Sequence, residues 1–195
     1  MTLPNILTVF RIFLTFIFIA LLLQTGLWPK IAATIVFLIA SFTDYFDGYY
    51  AKKHELVSNF GKIMDPIADK FLMLSAFFIF SKMNIIPLWM VIIIAVREIF
   101  ITIFRLYALS KGAILSAEVG GKCKTVSQIL AIIVILTFII LKELSHSVYV
   151  RDILSVSIYG IYMMMFIVVI MTLYSGLSYL WNNRGSFVFL QEDSM

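Results

Sequence analysis

The chain has 195 residues, of which 62% are hydrophobic and 13% are charged, and its formal net charge at pH 7 is +4. Soluble domains are about half apolar and about a quarter charged, so this composition excludes an ordinary soluble domain and indicates a membrane protein. The single cysteine excludes an internal disulfide, and two histidines are too few for a histidine-based metal site. Any bound metal must therefore be held by oxygen ligands, which favours Mg²⁺, Mn²⁺ or Ca²⁺.

Six apolar segments are long enough to cross a bilayer as helices, because a hydrocarbon core of about 30 Å needs roughly 20 helical residues. The predicted helices span about 5–25, 30–51, 62–82, 86–109, 122–142 and 153–181. The first helix contains Arg11 and is followed by no A-x-A cleavage site, so we interpret it as a retained helix and not as a signal peptide. We predict one all-α polytopic membrane domain over 1–195, with a loosely held tail at about 182–195.

The lysines and arginines near the helix ends predict the orientation in the membrane. One side would carry Lys52, Lys53, Lys62, Lys111, Lys122, Lys124 and Arg184, and the other would carry Lys30, Lys82, Lys142 and Arg151. Because the more basic side faces the cytosol, we expect a multi-pass protein of the cell membrane with both termini cytosolic. The connection between the second and third helices would also be cytosolic.

Four aspartates flank that connection. Asp44 and Asp47 are three residues apart, and Asp65 and Asp69 are four apart, so each pair shares one face of its helix. A short connection makes the two helices antiparallel neighbours, which would bring both pairs to one depth near the cytosolic surface. Like-charge repulsion and burial disfavour four ionised carboxylates, and divalent cations remove both costs. We predict that these aspartates hold two metal ions roughly 4 Å apart, as in many phosphoryl-transfer enzymes.

Small residues accompany the aspartates. Gly48 and Ala51 lie on the Asp44 face of the second helix, and Gly61 precedes Asp65 by one turn. Small residues let helix backbones approach each other or let a ligand lie against a helix. Ligand binding and close helix packing are both open interpretations of these three positions.

The spacing resembles the signature of the CDP-alcohol phosphatidyltransferases, which is D-x-x-D-G-x-x-A-R, eight residues, then G-x-x-x-D-x-x-x-D. The matching positions are Asp44, Asp47, Gly48, Ala51, Lys52, Gly61, Asp65 and Asp69. Lys52 stands where the family usually has arginine, which keeps the charge and loses the planar fork. The stretches LPNILTVFRI and REIFITIFRLYALSKGAILSAEVGGKCKT resemble the bacterial phosphatidylglycerophosphate synthases of that family, whereas the last helix carries no recognisable motif.

The resemblance implies the family's fold and the transfer of a phosphatidyl group from CDP-diacylglycerol to an alcohol, with release of CMP and with two Mg²⁺ or Mn²⁺ ions. Asp44, Asp47 and Asp65 would bind the metals, and Asp69 would be the general base for the acceptor hydroxyl and would also touch a metal. The donor nucleotide is assigned to Gly48, Ala51, Lys52 and Gly61. Asn5, Thr8 and Arg11 share one face of the first helix, where they could hydrogen-bond the nucleotide or the metal cluster, or could instead join helices by polar contacts. Membrane lipids and a second copy of the chain, as a homodimer, are the other expected partners, and no nucleic acid is expected.

The acceptor is predicted from basic residues in the second half of the chain, Arg97, Arg105, Lys122 and Lys124. Arginines within membrane helices mark functional sites, and such cations can bind a phosphate monoester. The matching cations of phosphatidylglycerophosphate synthases serve glycerol 3-phosphate, so we expect that acceptor and the product phosphatidylglycerophosphate.

Several alternatives stay open at this point. Arg97 could instead pair with Glu98, and the lysines could only reflect topology. Another acceptor, namely serine, inositol phosphate or phosphatidylglycerol, would use the same chemistry. A divalent-metal transporter would also bury carboxylates, although transporters usually place them near the bilayer midplane. A non-catalytic membrane scaffold would leave the aspartate spacing unexplained.

Overall fold

The computed structural model describes residues 3–54, 59–110, 119–144 and 148–184, and it describes side chains for 7–43, 64, 66–108, 123–144 and 157–184. The described residues form six α-helices and no strands. The helices are α1 (Leu3–Leu23), α2 (Leu27–His54), α3 (Asn59–Lys82), α4 (Leu88–Ser110), α5 (Val119–Leu144) and α6 (Val148–Asn182). The prediction of an all-α chain with six helices is confirmed.

The helices differ from the predicted ones mainly at their ends. The second helix was predicted to end at about 51 and the third to begin at about 62, whereas α2 ends at His54 and α3 begins at Asn59. The prediction followed the apolar segments, but a helix satisfies its own backbone hydrogen bonds and so continues through polar residues beyond them. Residues 185–195, most of the predicted loose tail, lie outside the described residues.

A buried lysine closes the turn between α1 and α2. Gly26 adopts φ 105°, a conformation that favours glycine, and lets the chain reverse within three residues. Lys30 Nζ, in the first turns of α2, donates hydrogen bonds to the backbone carbonyls of Leu22 at 2.5 Å and Gln24 at 2.6 Å. Because the last carbonyls of a helix have no partner within it, Lys30 acts as a C-terminal cap for α1.

The connection between α3 and α4 uses a left-handed asparagine. Asn84 has φ 56°, and the N–H of Ile85 donates to the carbonyl of Phe80 at 3.0 Å. This pattern is typical of a helix C-terminus, where asparagine tolerates the left-handed conformation better than most residues. Pro87 follows, and α4 begins directly after it, so the two helices form a tight hairpin.

The packing of the helices determines where a site can form. Among the described residues, α1 contacts both α2 and α3 extensively, and α2 and α3 contact each other over a shorter stretch. α3 contacts α4 and α5, and α6 packs against α4 and α5. Phenylalanines fill the core, including fully buried Phe18 and Phe37, whose ring centroids lie 5.6 Å apart. In the second half of the fold, α3 and α6 therefore each contact both α4 and α5, and these four helices form one group.

The surface of this bundle is apolar. Exposed large apolar side chains occur on all six helices, for example Phe13, Ile35 and Phe78 on the first three. Among the described residues, two segments are long and apolar enough to cross a membrane, namely Cys123–Leu144 with mean hydropathy 2.3 and Ser157–Asn182 with 1.9. Such a surface is typical of helices that face lipid.

Replacement of Lys30 by alanine should destabilise the fold by about 1–3 kcal/mol, because the buried carbonyl of Leu22 and the part-buried carbonyl of Gln24, just after α1, lose their donor. The midpoint of thermal unfolding in detergent measures the loss. Lys142, exposed at the end of α5, provides the control variant Lys142→Ala. Equal midpoints for the two variants would contradict a capping role for Lys30.

Candidate active site

The four aspartates lie inside α2 and α3, at matching distances from the connection between the two helices. Asp44 lies ten residues before the end of α2, and Asp69 lies ten residues after the beginning of α3. Asp47 and Asp65 lie seven and six residues from the same ends. The sequence placed them near the helix ends, about one to two turns inside, whereas they lie roughly two to three turns inside, because both helices extend further towards each other than the apolar segments do.

Only one of these four carboxylates, Asp69, is described at the level of its side chain. The other three aspartates and six more predicted site residues lie in the helices, but their side chains are outside the described ones. These nine residues are Asn5, Asp44, Asp47, Gly48, Ala51, Lys52, Gly61, Asp65 and Lys122. The backbone near the aspartates has one irregular feature. Pro66 has no N–H, so α3 lacks one helical hydrogen bond beside Asp65.

Asp69 takes part in a chain of ion pairs. Its Oδ2 accepts a hydrogen bond from Lys70 Nζ at 3.0 Å. The same ammonium group lies 3.3 Å from Glu98 Oε2 on α4. Lys70 therefore links the predicted general base on α3 to a carboxylate on the next helix.

Glu98 is only 3% exposed and stands at the centre of a polar cluster between four helices. Its Oε1 accepts a hydrogen bond from Lys124 Nζ on α5 and lies 3.4 Å from Arg97 Nη1. Gln128 Nε2, one turn after Lys124, donates to the same oxygen at 3.3 Å and lies 3.3 Å from Thr172 Oγ1 on α6. We call this group the Glu98 cluster, and its members are Asp69, Lys70, Arg97, Glu98, Lys124, Gln128, Thr172 and Ser175.

Two of the predicted acceptor residues meet in this cluster. Arg97 and Lys124 lie on different helices, and both contact Oε1 of Glu98. Arg97 Nη2 also donates a hydrogen bond to Ser175 Oγ on α6 at 3.0 Å. The pairing of Arg97 with Glu98, which the sequence left open, is thus present, and it draws Arg97 and Lys124 to one place.

Other predicted residues lie elsewhere. Arg105 is exposed, and its guanidinium carbon lies 6.0 Å from the ring centroid of Tyr179 on α6. No described contact joins Arg105 to the Glu98 cluster. Thr8 and Arg11 are buried on α1, and the carbonyl of Arg11 accepts a hydrogen bond from the Thr15 hydroxyl at 2.9 Å.

Cations and carboxylates alternate in the described cluster. Lys70, Arg97 and Lys124 provide the cations, and Asp69 and Glu98 provide the carboxylates. Charged groups buried between apolar helices are costly unless they are paired, so these contacts hold the three cations close to one another. A phosphate monoester has the charge and the acceptor oxygens that lysine and arginine bind well.

Sequence reasoning did not propose five members of the cluster as site residues, namely Lys70, Glu98, Gln128, Thr172 and Ser175, although it considered Glu98 as a partner of Arg97. A weak pattern was available for three of them. Gln128 lies four residues after Lys124, and Thr172 and Ser175 are three apart, so both pairs share a face of an otherwise apolar helix. Polar residues at helical spacing in a membrane helix often bind a neighbouring helix. The partner helix could not be identified from the spacing.

Comparison with known proteins agrees with the motifs. The sequence model of one family, described as CDP-alcohol phosphatidyltransferase, matches residues 1–181. A protein of Bacillus subtilis (strain 168) named CDP-diacylglycerol--glycerol-3-phosphate 3-phosphatidyltransferase is 42% identical over 142 residues, which are 67% of this chain and 74% of that protein. A protein of Pseudomonas fluorescens with the same name is 35% identical over 145 residues, 70% of this chain and 72% of that protein.

A third relative has a shorter overlap. A protein of Mycobacterium tuberculosis (strain CDC 1551 / Oshkosh) named probable phosphatidylglycerophosphate synthase is 37% identical over 133 residues. The match covers 67% of this chain and 63% of that protein. The names of all three relatives describe or imply the same kind of transfer reaction.

Replacement of Glu98 by glutamine should reduce the free energy of unfolding by about 3–5 kcal/mol, because it leaves buried Lys124 and part-buried Lys70 and Arg97 with one fewer carboxylate. Titration with SDS, followed by circular dichroism, gives the unfolding midpoint. The same chemical change at exposed Glu143 is the matched control and should have little effect. If Glu98→Gln unfolds no earlier than Glu143→Gln, the cluster does not stabilise the bundle.

Proposed function

Because the chain belongs to the CDP-alcohol phosphatidyltransferase family, we propose that it transfers the phosphatidyl group of CDP-diacylglycerol to glycerol 3-phosphate. The products would be phosphatidylglycerophosphate and CMP. The names of the relatives support this reaction. The observation that carries the choice of acceptor is the convergence of Lys70, Arg97 and Lys124 on one buried carboxylate, next to Asp69.

In the proposed reaction the hydroxyl oxygen of the acceptor forms a bond to the phosphorus that carries the diacylglycerol. The bond between that phosphorus and the oxygen bridging to CMP breaks, and CMP leaves with this oxygen. Asp69 accepts the proton of the hydroxyl group as a general base. Lys70 holds the Asp69 carboxylate at 3.0 Å, which restricts its orientation, while Arg97 and Lys124 bind the acceptor phosphate and so bring its hydroxyl close.

The aspartates also supply a set of ligands suited to a divalent cation. Carboxylate oxygens are the ligands that Mg²⁺ and Mn²⁺ prefer, and the matching positions of the two pairs along α2 and α3 support a shared site. In this proposal Asp44, Asp47 and Asp65 hold two ions, with Asp69 at the edge of the site. Bound there, the ions would neutralise the pyrophosphate of the donor and stabilise the leaving phosphate.

The donor nucleotide is proposed to lie on the other side of the aspartates, against α1 and α2. Gly48, Ala51, Lys52 and Gly61 belong to the matched motif, and Asn5, Thr8 and Arg11 lie on α1. Support comes from the burial of Thr8 and Arg11 and from the extensive contacts of α1 with α2 and α3. A buried arginine provides a charge that can bind a phosphate or a carboxylate.

We also propose that all six helices span the membrane. They have 21 to 35 residues, so each is at least about 30 Å long. Tryptophan is enriched at membrane interfaces, and exposed Trp28 and Trp89 lie at the beginnings of α2 and α4, whereas exposed Trp181 lies at the end of α6. The cytosolic orientation, the location in the cell membrane and the homodimer stay predictions from the basic residues and from the family resemblance.

An assay of the purified protein with each acceptor tests the proposed function. With CDP-diacylglycerol and Mg²⁺, we expect lipid product and CMP with glycerol 3-phosphate, and no product with serine, inositol phosphate or phosphatidylglycerol. Product only with an acceptor that lacks a phosphate would contradict the role of Arg97 and Lys124. Metal flux into liposomes without any lipid product would favour the transporter alternative.

One substitution can distinguish a role of Asp69 as general base from a role as metal ligand. Asp69→Asn should reduce turnover by about 100-fold or more, because an amide does not accept the hydroxyl proton. Binding of Mn²⁺, measured by electron paramagnetic resonance, should be largely retained, since three of the proposed ligands remain. A parallel loss of Mn²⁺ affinity and rate would indicate a purely ligating role. Activity should also stop in EDTA and return with Mg²⁺ or Mn²⁺.

A further inference from the structure

The side chain of Arg97 lies directly against the backbone of α6. A Cβ atom placed on Gly176 would be 3.0 Å from Nε of Arg97 and 3.2 Å from its Cγ. Both distances are shorter than an ordinary van der Waals contact between such atoms, which is about 3.5–4.0 Å. A side chain at residue 176 would therefore require Arg97 to shift by a few tenths of an ångström.

The neighbouring residue on α6 fixes the other end of the same side chain. Ser175 is buried, and its Oγ accepts a hydrogen bond from Arg97 Nη2 at 3.0 Å. The second terminal nitrogen, Nη1, lies 3.4 Å from Oε1 of Glu98. The guanidinium group is thus held between a carboxylate on its own helix and a hydroxyl group on α6. The Cγ and Nε atoms of the same side chain lie against Gly176.

Contacts with the same part of α6 extend to the rest of the cluster. Thr172, one turn before Ser175, lies 3.3 Å from Gln128 Nε2, and this group also contacts Oε1 of Glu98. α6 therefore contacts Arg97 directly, through Ser175, and contacts Glu98 through Gln128. A single helix that carries no recognised motif borders the site from Thr172 to Gly176.

We propose that Ser175 and Gly176 are positioning residues that set the place and the plane of the Arg97 guanidinium for the phosphate of the acceptor. This inference rests on the proposed function, in which Arg97 binds that phosphate. Arginine binds phosphate through two parallel N–H donors in a fixed plane, so a tilt or a shift of a few tenths of an ångström weakens both bonds. The donor is bound elsewhere in the proposal, so the effect should be confined to the acceptor.

Two glycines of α6 provide a matched experiment. A Cβ at Gly160 would meet no atom within 4 Å, whereas a Cβ at Gly176 would push against Arg97. In Gly176→Ala we expect the KM for glycerol 3-phosphate to rise about 5-fold or more, because the arginine fork is displaced. The KM for CDP-diacylglycerol should stay within about twofold, and Gly160→Ala should leave both constants unchanged.

Ser175→Ala tests the same idea without adding any atom. It removes the hydroxyl group that accepts from Arg97, and we expect a rise of about 5- to 10-fold in the KM for glycerol 3-phosphate alone. Unfolding midpoints of both variants, measured beside wild type, show whether the bundle is intact. If Gly176→Ala fails to fold, Ser175→Ala still decides the question.

The failure of this inference is distinguishable from the failure of the proposed function. If wild type makes no product with glycerol 3-phosphate, or if Arg97→Ala leaves its KM unchanged, the role of Arg97 is wrong and the inference fails with it. If Arg97→Ala raises that KM while Ser175→Ala and Gly176→Ala behave like Gly160→Ala, the proposed function stands and the positioning role is overturned. Equal increases in the KM of donor and acceptor would also overturn it.

Discussion

The cost of burying charge between apolar helices is the constraint on which the second half of this structure depends. Glu98 is almost fully buried, and it shares its two oxygens among groups from three helices. Oε2 faces Lys70, next to Asp69, and Oε1 faces Arg97, Lys124 and Gln128. A buried carboxylate is tolerated only when such partners are present. The helices that carry these partners must therefore meet at one level of the bundle.

The helices could be predicted from the sequence because each contains a long apolar segment, and an apolar segment of about 20 residues is typical of a helix. Their ends could not, since the length of an apolar segment says where lipid contact stops and not where backbone hydrogen bonding stops. The polar end of α2, which continues to His54, shows the difference. The consequence is chemical, because it places Asp44 and Asp47 about one turn further inside the helix than predicted, where backbone geometry holds them.

The candidate site could be predicted in part. The motif identified Asp69, and the rarity of cations in apolar helices identified Arg97 and Lys124. The contacts between them could not be read from the sequence, because Glu98 meets Lys124 from 26 residues away and Arg97 meets Ser175 from 78 residues away. Even the pairing of Asp69 with its neighbour Lys70 is not indicated by spacing, since adjacent residues of a helix do not face each other. The long lysine side chain makes the contact possible.

The Glu98 cluster meets a demand that any phosphate site within a membrane protein must meet. Three cations without any carboxylate would repel one another and would not stay together between apolar helices. Asp69 and Glu98 contact Lys70, Arg97 and Lys124, so these cations from three helices are held close to one another. A phosphate monoester offers such cations a negative charge and several acceptor oxygens, whereas an uncharged alcohol offers no charge. The contacts that hold the helices together therefore also bring together the cations for the proposed acceptor.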